Sequence, residues 1–181
     1  MERVRERQRE REPDHQRGYE EFMDRRLTFL ERQYKGKIVI WPHDREWDIS
    51  KQGKLLWLLN PGVYKDTALQ DWYAFVQEIP KVSGKHKHQG GLVIFALEGE
   101  GTTTMDDVPH HWEPGDLNIL PIKEGGVVHQ HFNRNKDGTP AYWFAFINNF
   151  ILDHVSSQME QIELSPLWLE QQKGGQTKGK K

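Results

Sequence analysis

Two histidine pairs stand out for type and spacing. His86 and His88 are separated by one residue, and His129 and His131 follow about forty residues later, with Asn133 at His129 + 4. Side chains at i and i+2 of a strand share a face, so His86 and His88 can reach one point together. If the later strand returns beside the first, His129 closes a set of three. Three imidazoles on one side of a first-row divalent ion leave the opposite positions open for chemistry. His131 shares the face of His129, and its role stays open between a pocket acid/base or hydrogen-bond donor, a satisfied interior histidine, and the third ligand itself.

Other polar residues invite functional readings that a blander one outweighs. Glu98 and Glu100 could pair for acid/base work, but in a Glu-Gly-Glu-Gly turn they read as solvated. Asp116 follows Gly115 in a turn and is expected to brace its own backbone. Asn133 reads as a loop hydrogen bonder rather than a catalyst. His110 and His111 are expected at the surface, and His43 and His154 have no assigned role. Trp72, Phe95, Trp112 and Trp143 are candidates for an aromatic pocket, although core packing is the safer reading of any one of them. Tyr73 and Gln77 are candidates for a barrel mouth.

The elements that must position these residues are short. Lys37 to Trp41, Lys54 to Leu59, Trp72 to Gln77, Leu92 to Leu97, Thr102 to Met105, His110 to Trp112, Leu117 to Leu120, Val127 to Phe132 and Ala141 to Ile147 read as strands. Turn residues recur between them: Asn60-Pro61-Gly62, Ser83-Gly84, Glu98 to Gly101, Asp106-Asp107, Pro114 to Asp116 and Asn135 to Gly138. Strands of this length, with turn signals every 8–12 residues, predict an all-β sandwich or barrel. The unbroken apolar run Leu92 to Leu97 suits a strand buried on both faces.

Helical spacing appears only at the ends. Tyr19, Met23, Leu27, Leu30 and Tyr34 predict an amphipathic helix over about 16–34, ending near Gly36 and covering one face of the core. Leu152, Val155, Met159 and Ile162 repeat at helical spacing, and Ser165-Pro166 reads as an N-cap followed by the first position of a short helix. The expected organisation is a charged arm and helix over 1–36, a β-barrel over 37–148, C-terminal helices over 149–172 and a flexible tail over 173–181.

The composition sets outer bounds. At 181 residues, one domain with tails is the natural size. A net charge of −2 leaves no basic footprint for nucleic acid. No apolar run approaches the ~20 residues that span a bilayer, and the first residues resemble neither a secretory signal nor a transit peptide. Without cysteine there is no disulfide, thiol nucleophile or thiolate metal site. A cytoplasmic location is the resulting expectation.

The block from about 70 to 148 resembles the cupins. Their first motif places His-x-His, three or four residues, Glu, six residues, then Gly. His86, His88 and Gly99 match, while Leu92 stands in the place of the Glu and Pro80 where a further Gly belongs. In the second motif Gly115, Pro121, Gly126, His129 and Asn133 match, with extra residues between Pro121 and Gly126. Within that family the chain is most similar to gentisate 1,2-dioxygenase and its relatives, which lack the Glu, hold Fe(II) on three histidines and generally carry two such domains where this chain has length for one.

The resemblance implies a single cupin barrel of the double-stranded β-helix, jelly-roll-like type, with Fe(II) held by His86, His88 and His129 and with His131 as the catalytic candidate beside it. Zn, Mn or Ni are the alternative metals, since imidazole alone does not choose among them. With Leu92 for Glu the ligand set is neutral, so the ion keeps its +2 charge and draws anionic substrate oxygens more strongly. The expected activity is oxidative C–C cleavage of a small hydroxylated aromatic compound by O2, as in aromatic compound catabolism. A β-diketone dioxygenase, a non-redox metal isomerase or lyase, and a ligand-sensing binding protein are the alternatives. A homodimer or higher homo-oligomer is expected, with no nucleic-acid or membrane partner.

Overall fold

In the computed structural model, residues 15–177 are described. The expectations for 1–12 and for the last residues of the tail, 178–181, lie outside them. The described residues form two compact units, one of 15–38 with 66–69, the other of 39–65 with 70–177.

The first unit is built on helix α1, His15–Lys35, close to its predicted bounds. Its apolar residues Tyr19, Phe22 and Leu27 are exposed. Lys37 does not start the predicted strand 37–41. It makes one isolated parallel bridge to Thr67, tied by Lys37 N–H to the Asp66 carbonyl at 2.8 Å. Ile38, Val39 and Trp41 are exposed; with no partner strand, their β-branched and aromatic character has no pleated surface to pack on.

The second unit is all-β. Its strands are β1 Trp47–Ser50, β2 Gly53–Leu59, β3 Trp72–Ile79, β4 Lys85–His88, β5 Leu92–Glu98, β6 Gly101–Met105, β7 Val108–Trp112, β8 Leu117–Leu120, β9 Val127–Asn133, β10 Ala141–Asn148 and β11 Glu160–Glu163. They form a six-stranded sheet in the order β1-β2-β3-β10-β5-β8 and a five-stranded sheet in the order β11-β4-β9-β6-β7. Every pairing within these sheets is antiparallel. Two sheets whose strands interleave along the chain make a barrel, the all-β architecture that the turn spacing predicted and of the jelly-roll-like type that the resemblance implied.

The two inner faces differ in kind. The six-stranded sheet turns Leu55, Phe75, Ile79, Ile94, Leu120 and Trp143 inward, and these make the apolar core. Fully burying one such aliphatic side chain contributes about 1.5–3 kcal/mol. From the five-stranded sheet the buried inward residues include His86, His88, Thr103, His129 and His131. The barrel therefore has one oily wall and one imidazole wall. β5 is not buried on both faces: Ile94 and Ala96 are inside, while Phe95 and Leu97 are exposed on the outer face.

The segment after β10 also departs from the sequence pattern. Helix α2, Asn149–His154, begins under Asn148, whose side-chain oxygen accepts from the N–H groups of Phe150 (3.1 Å) and Ile151 (3.3 Å). It stops at Val155, and Ser156 takes a positive φ of 48°. Met159 and Ile162 therefore do not continue a helix; Ile162 lies on β11, which pairs with β4. Helix α3, Pro166–Thr177, starts where Ser165-Pro166 predicted, and it runs into the stretch expected to be a flexible tail. The Ser165 hydroxyl is buried without a hydrogen-bond partner, so the cap is made by its backbone carbonyl, which accepts Leu169 N–H at 3.1 Å. No helix among the described residues is long and apolar enough to cross a membrane.

Candidate metal centre

Strand parity aims the histidines. β4 alternates Lys85 out, His86 in, Lys87 out, His88 in, and β9 buries Val127, His129 and His131 on the same side of its sheet. The strands pair in a register that sets His86 opposite His129 and His88 opposite Val127. A one-residue slip would turn every imidazole outward. Gly126, at φ 85°, is where β9 enters this pairing. A Cβ there would lie 2.9 Å from the His88 carbonyl oxygen, so a side chain would push the strands apart.

The result is a cluster of rings. His86 and His129 have centroids 4.1 Å apart, His88 and His129 4.8 Å, and His86 and His88 5.8 Å. One ring nitrogen from each of the three lies within 4.8 Å of the other two, the only such ligand group among the described residues. His131 stands behind them, 5.6 Å from His129 by centroids.

Two of these nitrogens are orphaned. His86 Nδ1 and His129 Nε2 are buried without a partner in good hydrogen-bond geometry, although the Gly84 backbone lies near enough to His86 to oppose part of the effect of burial on its pKa. Buried polar atoms without partners are rare in folded proteins and call for an explanation such as an ion. His129 Nδ1 donates to the Val127 carbonyl at 3.2 Å, which leaves the lone pair on Nε2, the arrangement a ligating histidine needs. His88 is different: its Nδ1 accepts Gly90 N–H at 3.0 Å, so this ring must exchange that bond to offer a lone pair from Nδ1, or a proton to offer one from Nε2.

Electrostatics keep the rings neutral. Burial, then the neighbouring His88, lowers the His86 pKa to about 4. Burial lowers His88, and it holds His129 well below the ordinary range with help from His86, His131 and His88. His131 falls to about 3, chiefly through burial and then through His86 and His88. Neutral imidazole is the form that binds a metal. The donor set thus fits a divalent ion.

The rings open on a cavity of about 200 Å³. An apolar cavity of about 150 Å³ already admits benzene, so the space suits a single-ring molecule. Its far wall is Leu55, Trp57, Tyr73, Phe75, Trp143 and Ile147, and Leu92 borders it beside the imidazoles. Gln52, Gln77 and Ser157 supply polar groups, and no Lys or Arg lines it among the described residues. Tyr73, Gln77 and Trp143 are thus where the sequence suggested. Trp72, Phe95 and Trp112 are not on this wall. Gln52 and Ser157 carried no sequence signal, since each reaches the cavity from a segment whose position depends on tertiary pairing.

The remaining candidates lie elsewhere. His110 and His111 are exposed on β7, where His111 Nδ1 meets Thr102 Oγ1 at 2.8 Å and Arg134 Nη1 at 2.9 Å. His43 stacks on Trp41, and His154 ends α2. Glu98 and Glu100 are exposed. Asp116 Oδ2 accepts Glu113 N–H at 2.9 Å. Asn133 Nδ2 donates to the carbonyls of Pro80 (2.9 Å) and Thr139 (2.7 Å), pinning a loop.

The chain is similar in part to several known proteins. A 5-aminosalicylate 1,2-dioxygenase from Comamonas sp. is 27% identical over 81 residues, 45% of this chain and 20% of that protein. A salicylate 1,2-dioxygenase variant from Pseudoaminobacter salicylatoxidans, solved in complex with gentisate, superposes with a TM-score of 0.49 at 23% identity, over 62% of this chain and 31% of that one. A cupin-like protein from Thermotoga maritima superposes with a TM-score of 0.46 at 16% identity, over 66% of this chain and 84% of that one. The chain thus spans only about a fifth of the length of the curated relative it matches. Residues 75–147 match the model of the cupin domain, a stretch that holds β4 to β9 entire, both histidine pairs and the cavity's aromatic wall from Phe75 onward.

Proposed function

We propose that the chain is a mononuclear non-haem Fe(II) dioxygenase, with His86, His88 and His129 as the metal ligands and a small hydroxylated aromatic compound of the gentisate, salicylate or catechol kind as substrate. One observation carries the reading: three inward imidazoles on two register-paired strands, two of them with an orphaned buried nitrogen, face a single-ring-sized aromatic cavity. The curated relative's name, a 5-aminosalicylate 1,2-dioxygenase, supports the reaction class.

When bound, Fe(II) would supply one-electron chemistry toward O2 and Lewis acidity toward two chelating substrate oxygens. The chain's own residues do the rest. Trp57, Phe75 and Trp143 pack edge-on and tilted against one another as one apolar wall, which would face a flat ring and exclude water from it. Gln52 and Gln77 offer hydrogen bonds at the cavity's edge, Gln77 being held by its own Nε2 bond to the Gln52 carbonyl at 3.2 Å. His131 is the catalytic candidate, within reach of a substrate oxygen in the cavity it lines. The non-redox alternatives, with Zn or Mn as Lewis acid, share the ligands and differ in needing no O2.

A second substrate reading has its own observation. The cavity wall has no Lys or Arg among the described residues to pair with a free carboxylate, and this favours a neutral chelator such as a β-diketone or catechol over a hydroxybenzoate. The deciding experiment is oxygen uptake by the protein loaded anaerobically with Fe(II), across gentisate, salicylate, catechol and a β-diketone, with metal analysis of the same sample. Uptake with at least one of them, lost on chelation, is expected. Metal bound at one per chain with no uptake on any member would overturn the dioxygenase reading.

A further inference from the structure

His129 and His131 are two residues apart on one strand face, yet their surroundings demand opposite tautomers. His129 Nδ1 has only a carbonyl to meet, that of Val127 at 3.2 Å; it must carry the proton, and Nε2 keeps the lone pair. His131 Nδ1 lies 2.8 Å from the Thr103 hydroxyl, which can in principle give or take a hydrogen. A third residue decides. Trp112 Nε1 lies 3.1 Å from the same hydroxyl oxygen, and an indole N–H can only donate.

Thr103 therefore already accepts one hydrogen, and its own must go elsewhere. Thr103 is fully buried, and among the described residues His131 Nδ1 is the one acceptor its hydroxyl meets. If His131 donated from Nδ1 instead, the hydroxyl would accept twice and its own hydrogen would be left without an acceptor inside the protein. We infer that Trp112 and Thr103 are positioning residues that fix His131 as its Nε2–H tautomer, so that it presents a hydrogen-bond donor, not a metal-ligating lone pair, to the cavity.

The supports of this relay are built into the turn before it. A Cβ on Gly101 would overlap the Trp112 ring, so the second glycine of the Glu-Gly-Glu-Gly turn is the seat of the indole. His131 itself is locked from the backbone side, its N–H donating to Ser83 Oγ at 2.9 Å and its carbonyl accepting Ser83 N–H at 2.9 Å. Its ring stands edge-on to Trp143 at 4.9 Å between centroids. A donor so fixed suits an anionic or carbonyl oxygen of the bound molecule and separates the two inward histidines of β9 into a ligand and a donor. The use of that donor rests on the cavity being the substrate site; the tautomer does not.

The test is ¹⁵N NMR of the full chain with labelled histidine, metal-free and loaded with diamagnetic Zn(II), near pH 7.5. Expected for His131 is a protonated Nε2 and an unprotonated, hydrogen-bonded Nδ1 in both samples. Thr103→Val removes the donor and brings in the second tautomer; Thr103→Ser restores the first. Trp112→Phe removes the N–H together with one ring of the indole, frees Thr103 to accept from His131, and also mixes the tautomers, so it carries the test should Thr103→Val not fold. A wild-type His131 protonated at Nδ1, a Zn(II)-ligated Nε2, or tautomers that ignore both substitutions would overturn the inference. The readout needs no turnover: correct tautomers with no oxygen uptake sink the dioxygenase reading alone, and the converse sinks the relay alone.

Discussion

His86 and His129 are register partners across β4 and β9, and their rings meet at 4.1 Å and 66°. Neither ring can relieve its orphaned nitrogen by turning to solvent, because both are buried. The pairing joins a four-residue strand to a seven-residue one, so the site depends on long-range contacts more than on local sequence. It also ranks the ligands. His129 keeps its lone pair free through Val127, whereas His88 spends Nδ1 on Gly90.

Removing the best-prepared ligand has the largest effect. His129→Ala is expected to weaken Fe(II) or Zn(II) binding by more than the 10–100-fold typical of losing a group that merely supports a ligand. Competition with a chromophoric chelator measures it, and circular dichroism reports whether the barrel persists. Unchanged affinity in a folded His129→Ala protein would remove this residue from the metal set.

Acid separates this site from one made of exposed histidines. An ordinary imidazole takes a proton near pH 6.5, but His86 in the folded protein does so only near 4 and His131 near 3. Between 6.5 and those values the unfolded chain binds protons that the folded chain refuses. Stability of the metal-free protein therefore falls as pH drops through that window, by about 1.4 kcal/mol per pH unit for each such histidine, and the loss stops growing below the folded pKa. Metal affinity of the folded protein, by contrast, begins to fall at a lower pH than that of ordinary imidazoles, because burial lowers the pKa of all three rings and fewer protons compete. Metal titrations at pH 7.5, 6 and 5 check this; a steep fall beginning at 6.5 would show the rings titrating as in water.

The barrel was legible because its turns carry Gly, Pro, Asn and Asp at regular intervals, and the inward clustering of the histidines because i, i+2 spacing survives any register that buries one face. What was not legible depended on partners. Lys37 to Trp41 has strand-forming residues, but among the described residues it makes only an isolated bridge, Lys37 to Thr67. Trp47–Ser50 forms β1 only because β2 pairs with it, and its Asp48 and Ser50 gave no strand signal. Leu152, Val155, Met159 and Ile162 satisfy helical spacing by coincidence across a helix end and a strand. Thr103 looked like one β-branched residue among three, since nothing local says that Trp112 will arrive above it.

Leu92 offers a test of charge in the ligand set. It is buried, borders the cavity beside the imidazoles and stands opposite Leu120 in the register. Leu92→Glu places a carboxylate there. Without metal it is a buried charge lacking a partner, and a cost of about 3 kcal/mol lowers Tm by roughly 6–12 °C in a chain of this size. With a divalent ion it becomes a fourth ligand and offsets one unit of positive charge. The expected result is a Tm gain on metal addition well above that of wild type, with weaker binding of anionic substrates. An equal Tm loss with and without metal would mean that this position does not face the ion.

β11 is the outer neighbour of β4 and shields the His86–His88 pair from the sheet edge. Gln161 stands opposite His86, and its Nε2 donates to the carbonyls of Lys85 (3.2 Å) and Glu163 (2.7 Å). Gln161→Ala removes those bonds alone, at about 1 kcal/mol of stability. Gln161→Pro also removes a backbone donor and is tolerated only at an unpaired edge, so it loosens the whole β4–β11 ladder. With β4 freer to fray, the metal ligands separate more often, and metal release is expected to quicken in Gln161→Pro by more than in Gln161→Ala. Stopped-flow transfer of the metal to excess chelator measures both rates. Equal rates in the two variants would show that β9 alone holds the histidine pair in place, and that the C-terminal strand contributes stability without organising the site.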